Sequence, residues 1–181
     1  MKALSNSKNS PASISLRYFI LLIVAIPNLW IFYKIFTPLT VYPVYLLLNL
    51  FYDAQIVSGN IVLISQIIPI EIIGSCVAGS AYYLLLMLNL FTPEIKTKKR
   101  ISMIILAFIA FLIINILRIF FLSLLAISDS AFFDITHKLF WYLMSTIFVV
   151  GIWFWQVKKY KIKEIPLYSD IKYIKSLTSK R

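Results

Sequence analysis

Residues 101–127 read ISMIILAFIAFLIINILRIFFLSLLAI, and this stretch decides the fold. It holds no proline, no glycine and a single charge, Arg118. As a helix it would extend about 40 Å at 1.5 Å per residue, more than the ~30 Å hydrocarbon core of a bilayer. Lys96, Lys98, Lys99 and Arg100 stand directly before it. A long apolar run behind a basic cluster is the pattern of a membrane span whose start faces the cytoplasm.

Working outward, residues 72–91 and 139–157 are long and apolar enough to cross as well. Residues 18–36 form a fourth candidate, interrupted only by Pro27, Asn28 and Lys34, with Lys34 near enough to the end to reach the interface. Lys2, Lys8 and Arg17 precede this run as in a signal peptide, but bulky residues 28–33 stand where small cleavage-site residues belong. The segment is therefore expected to be retained.

Composition agrees. Of 181 residues, 61% are hydrophobic and 14% charged, against roughly 45–50% and about 25% in soluble domains. A chain this apolar, with a mean hydropathy of +0.88, is neither disordered nor a soluble nucleic-acid-binding domain. The sequence carries no internal repeat, glycine-rich phosphate loop or metal-ligand spacing, and calls for no cofactor and no metal.

Charge sets the orientation. Fifteen of the 18 Lys and Arg fall in residues 1–17, 92–100 and 156–181. These flanks carry a net +12 and the rest of the chain −1, so the net +11 reads as a topology signal satisfied by anionic headgroups. The expected organisation is a basic cytoplasmic N-terminus (1–17), one transmembrane domain (18–157) and a basic cytoplasmic tail (158–181), in the plasma membrane with both termini inside.

Residues 37–71 are the ambiguous region. Residues 39–52 contain Pro43 and are too short to cross. Residues 61–73 hold eight Ile or Val, broken by Pro69 and Glu71, behind a Ser58-Gly59-Asn60 turn, which suits β-structure. The fold expected is an all-α polytopic membrane protein. It is a bundle of about four transmembrane helices, six at the upper count, with a short outer interfacial helix and a β-hairpin.

Four polar residues within or beside the spans ask for an explanation, because an ionisable group costs a few kcal/mol in the membrane unless it is satisfied. Cys76 and His137 are the only residues of their kind, Arg118 is the only charge in its span, and Asn115 lies one turn below it on the same face. Counting helical rise from the basic flanks puts Arg118 about 27 Å, Cys76 about 30 Å and His137 about 31 Å from the cytoplasmic edge. Three spans bring these groups to one level, near the outer boundary. Each has a plain alternative: a packing thiol, a snorkelling arginine, a histidine that marks the start of a span. Together they suit covalent catalysis. A thiolate attacks a carbonyl, a nearby cation favours the thiolate and the oxyanion, and an imidazole carries the proton.

The order Cys76, then Asn115-x-x-Arg118 in a following span, then His137 opening the next, resembles the exosortase/archaeosortase family of multipass cysteine transpeptidases. The segments that carry the likeness are EIIGSCVAG (71–79), NILRI (115–119) and HKLFW (137–141), and the resemblance extends over roughly residues 37–155. Val77 stands where the family commonly has a small hydroxyl residue, and the glycine is delayed to Gly79. The resemblance implies an enzyme that cleaves a C-terminal sorting signal on secreted surface proteins. Such substrates end in a short motif, a transmembrane helix and a basic tail. The new C-terminus passes to an acceptor, a lipid among them. It also implies Cys76 as nucleophile, Arg118 as oxyanion partner and His137 as proton carrier; Asn115, one turn below Arg118, is expected to orient the guanidinium rather than touch substrate. No nucleic acid is involved. Two other functions fit the same residues: a non-catalytic membrane assembly or transport subunit held together by its polar groups, and a lipid-linked transferase that binds a phosphate headgroup through Arg118 and His137.

Overall fold

The computed structural model describes residues 11–26, 28–92, 95–128, 132–140 and 145–162. It is mostly helical with one small antiparallel sheet. In chain order the elements are α1 (Pro11–Ala25), α2 (Trp30–Asn49), β1 (Ala54–Ser58), β2 (Ile61–Ile64), β3 (Ile68–Glu71), α3 (Gly74–Val77), α4 (Gly79–Phe91), α5 (Thr97–Ile127), α6 (Phe133–Leu139) and α7 (Ser145–Lys159). Three helical segments are long and apolar enough to cross a membrane by length and composition: Trp30–Asn49, Gly74–Phe91 and Thr97–Ile127. That is compatible with a membrane protein.

α5 shows what kind of solvent the surface is built for. Ile101, Ile105, Ile109, Ile113, Leu117 and Phe121 recur every fourth residue and are 43% to 58% exposed. The opposite stripe is buried and includes Asn115, Arg118 and Ser123 among Met103, Ala107 and Phe111. Apolar groups outside and polar groups inside invert the arrangement of a helix in water and match one in lipid. The central packing is aromatic: Tyr82 of α4 stacks on Phe36 of α2 at 3.6 Å, and Phe108 of α5 meets both rings edge-on.

The N-terminal half departs from expectation. Residues 18–36 are shared between two helices. α1 ends at Ala25, and Asn28 and Leu29 take left-handed conformations (φ 49° and 60°) before α2 starts at Trp30. The residue before a proline disfavours the helical region, and α1 ends at Ala25, two positions before Pro27 in the sequence. The expected short interfacial helix at 39–52 is instead the second half of α2, which continues through Pro38 and Pro43 to Asn49. Each proline removes one helical hydrogen bond without ending this helix. Arg17, expected in the basic cytoplasmic N-terminus, lies inside α1 and is buried. The expected 139–157 span is shared between α6 and α7, and residues 141–144 lie outside the described residues. The first ten residues and the tail from 163 onward lie outside them too.

The expected hairpin is a three-stranded meander in the order β1-β2-β3. Gly59 and Asn60 turn between β1 and β2 as expected, with Ser58 paired to Ile61. β3 pairs with β2 from Ile64↔Ile68 to Ile61↔Glu71. Val62 and Ile64 bury the inner face, β1 packs against α2, and among the described residues β3 is an open edge strand whose chain leads directly into α3.

Candidate functional site

Cys76 lies on α3, a single helical turn with extended Ile73 as its N-cap (ψ 169°). Ala78 ends the turn in the left-handed region (φ 58°, ψ 48°), a conformation that costs an L-residue about 1–2 kcal/mol. α4 begins at the next residue. Glycines flank the turn because the Tyr33 ring of α2 lies against it: a Cβ on Gly79 would stand 2.8 Å from Tyr33 Cζ, and one on Gly74 3.4 Å from Cε1. The local sequence thus makes a tight, strained platform for the thiol, backed by an aromatic ring.

α5 fixes this platform from the side. Asn115 Nδ2 donates to the Cys76 carbonyl at 2.9 Å and lies 3.4 Å from the Val77 carbonyl. Arg118 Nη2 donates to the same Cys76 oxygen at 3.0 Å, and Nη1 donates to Ser145 Oγ at 2.9 Å. Ser145, the first residue of α7, donates in turn to the Phe140 carbonyl at 3.2 Å. One guanidinium therefore links α3, α5 and the start of α7. Arg118 is 9% exposed, and its Nε has no hydrogen-bond partner among the described residues. No carboxylate pairs with it there either. Each buried unpaired donor costs roughly 1–3 kcal/mol. The site thus retains a cation with an unused N–H.

His137 is on α6, half-buried and stacked on Phe133 with ring centroids 5.5 Å apart. Cys76, Arg118 and His137, with Ser75, Glu71 and Ser145, line one cavity of about 450 Å³. The three candidate groups come from three separate elements and meet at this cavity. Among the described residues Ser75 Oγ is also buried and makes no hydrogen bond.

Some sequence expectations are refined here. Asn115 does not bond Arg118; both donate to one carbonyl, so Asn115 holds the Cys76 turn rather than the guanidinium. For Arg118 the helical count runs from Arg100 along one unbroken helix. For Cys76 the helix is broken at Ala78, and for His137 the count runs through residues 141–144, outside the described residues. Sequence reasoning missed Ser145 and Tyr33. A buried arginine with no acid in reach signals that a neutral acceptor must exist on a neighbouring helix, and Ser145 is such a residue.

Chemically, the arrangement offers a thiol on a rigid turn, a buried guanidinium with a spare donor, and an imidazole on the same cavity. That inventory fits attack on a carbonyl. Among the described residues no group of three or more His, Cys, Asp or Glu could hold a metal ion. In comparisons with known proteins, no family model, no curated protein and no solved structure matches the chain.

Proposed function

We propose that this chain is a multipass plasma-membrane cysteine peptidase or transpeptidase of the exosortase/archaeosortase kind. It cleaves the C-terminal sorting signal of secreted proteins at the outer membrane boundary and passes the new C-terminus to an acceptor, a lipid or another nucleophile. About four spans with both termini cytoplasmic complete the reading, supported by the clustering of Lys and Arg in three flanks. One observation carries the proposal: Cys76, Arg118 and His137 share a cavity, and the arginine there has no carboxylate among the described residues.

In this reading His137 takes the Cys76 proton and the thiolate attacks the substrate carbonyl. Arg118 stabilises the tetrahedral oxyanion through its unpaired donor. Collapse breaks the C–N bond, the departing amine receives the proton from His137, and a thioester to the substrate's N-terminal portion remains. His137 then deprotonates the acceptor, whose attack releases the product and restores the Cys76 thiol. A helical substrate tail would pack laterally against the apolar outer faces of the bundle.

A second reading has its own observation. Both Asn115 and Arg118 donate to the Cys76 carbonyl rather than to its sulfur, as polar groups do when they only hold helices together in a non-catalytic subunit. Co-expression separates the two readings. Partners for the test are secreted proteins of the same genome that end in an apolar helix and a basic cluster, and the readout is loss of that tail. Cys76→Ala abolishes tail removal if the thiol is the nucleophile, while the protein still accumulates. Processing that continues in Cys76→Ala establishes the subunit reading instead.

A further inference from the structure

The edge of the sheet beside the cavity has a defined chemistry. Ile72 N–H donates to the Asn60 carbonyl at 2.8 Å, in the same register that pairs Ile70 with Val62 and Ile68 with Ile64. Bonding alternates along an antiparallel pair, so residues 68, 70 and 72 direct their backbone groups to β2. Pro69 and Glu71 direct theirs to the open edge, whereas the Ile73 carbonyl turns into α3 and accepts from the Cys76 and Val77 N–H groups. Pro69 has no N–H and blunts the far end of that edge, a common protection against indiscriminate pairing. Nearer the thiol the edge is intact. Glu71 offers both N–H and C=O, and Ile73 N–H donates to no backbone carbonyl among the described residues. Ile70, Glu71 and Ile73 all line the cavity that contains Cys76, five residues after Glu71.

We infer that this edge is the docking strand for the polypeptide substrate. Resting on the cysteine-nucleophile reading, the inference is that the extended residues just before the scissile bond add to the sheet as a fourth strand. The direction follows from the chain: β3 runs toward Cys76, and the substrate segment that becomes the acyl group must also end at Cys76. The added strand is therefore parallel to β3. Glu71 N–H donates to one substrate carbonyl and Glu71 C=O accepts from an N–H two residues further along, as in other strand-addition complexes. Affinity from the main chain leaves the alternate side chains to read sequence. The short open edge between Pro69 and α3 limits docking to a few residues adjoining the cleaved bond.

The test uses purified full-length protein and two thiol reagents: iodoacetamide and an acetylated Thr-Val-Thr-Val-Ala chloromethyl ketone. In each, Cys76 sulfur displaces halide and forms a thioether, so neither reaction needs turnover. The readout is the rate of the peptide reagent divided by that of iodoacetamide. Glu71→Pro removes the outward N–H at a position that is already extended, and lowers this ratio about tenfold, whereas Glu71→Gln, which keeps the N–H, holds it within about twofold of wild type. With the wild-type protein, N-methylation of successive residues of the reagent gives losses that alternate with period two, since only every second amide faces β3. An equal ratio in wild type and Glu71→Pro, or a loss that does not alternate, overturns the docking mode and leaves the chemistry of Cys76 standing. A Cys76 that neither reagent alkylates sinks the proposed function and the docking mode together.

Discussion

A single carbonyl oxygen, that of Cys76, accepts from two side chains of α5, at 2.9 Å from Asn115 and 3.0 Å from Arg118. Two donors on one acceptor fix the plane of the peptide after Cys76 and hence the direction in which its side chain leaves the turn. The guanidinium manages this while also reaching Ser145, because its donors sit in a planar fork. An ammonium cannot span both acceptors and leave a third N–H for substrate. Arg118→Lys therefore keeps the charge yet lowers processing at least about tenfold at equal protein level, the scale of one charge-assisted hydrogen bond. Full turnover by Arg118→Lys would return the residue to a helix-anchoring role. Substituting Asn115 by Ala leaves the Cys76 carbonyl with Arg118 alone and loosens the turn. This variant should process more slowly, with a melting temperature lowered by a loss of about 1 kcal/mol, and a stable variant with lost activity would mean Asn115 touches substrate directly.

At the scale of elements, the α3–α4 junction depends on close approach. Ala78 is left-handed and Gly79 lies under the Tyr33 ring, which a Cβ would enter at 2.8 Å. Gly79→Ala forces that ring aside and costs about 1–3 kcal/mol, as overpacking commonly does. Thermal unfolding in detergent should show the loss, and a Tyr33→Leu partner substitution should recover part of it. An additive pair would show that the clash is not the cause. Much of this architecture is legible from sequence. α5 was expected at 101–127 and runs Thr97–Ile127, because nothing in it competes with helix, and Gly59-Asn60 announces its turn. The prolines were less legible: Pro27 falls where a helix ends while Pro38 and Pro43 sit inside one, and local sequence does not separate these cases. β1 escaped notice because AQIVS has no clean alternation, and the β2–β3 turn uses Ser65 and Gln66 in positive φ, with no glycine to mark it. Cys76, Arg118, His137 and Asn115 were legible as misplaced polar groups, but which atom bonds which is set by tertiary packing.

Over the molecule, two clusters of hydrogen-bonded buried polar groups stand out among the described residues. One is the cavity. The other lies at the opposite end of α4, where Arg17 and Arg100 both donate to the Leu90 carbonyl and Arg100 also to Thr92, cations at a helix C-terminus as its dipole favours. Buried Asn89 and Gln156 hydrogen-bond each other nearby, and Gln156 donates to the Met103 carbonyl. Arg100 and Arg118 are about 27 Å apart along α5, close to the thickness of a hydrocarbon core, so the basic end and the cavity would face opposite surfaces. An impermeant maleimide applied to intact cells should then label Cys76 from outside. Labelling only after the cytoplasmic face is opened would reverse the orientation. The central claim, that Cys76 carries the substrate as an acyl group, is tested most directly by trapping. Protein mixed with a processed substrate and quenched in acid should show the substrate's N-terminal portion on Cys76, released by hydroxylamine and absent from Cys76→Ser, whose hydroxyl is a far poorer nucleophile. A substrate that is processed with no hydroxylamine-sensitive adduct on Cys76, or equally well by Cys76→Ser, would contradict the account.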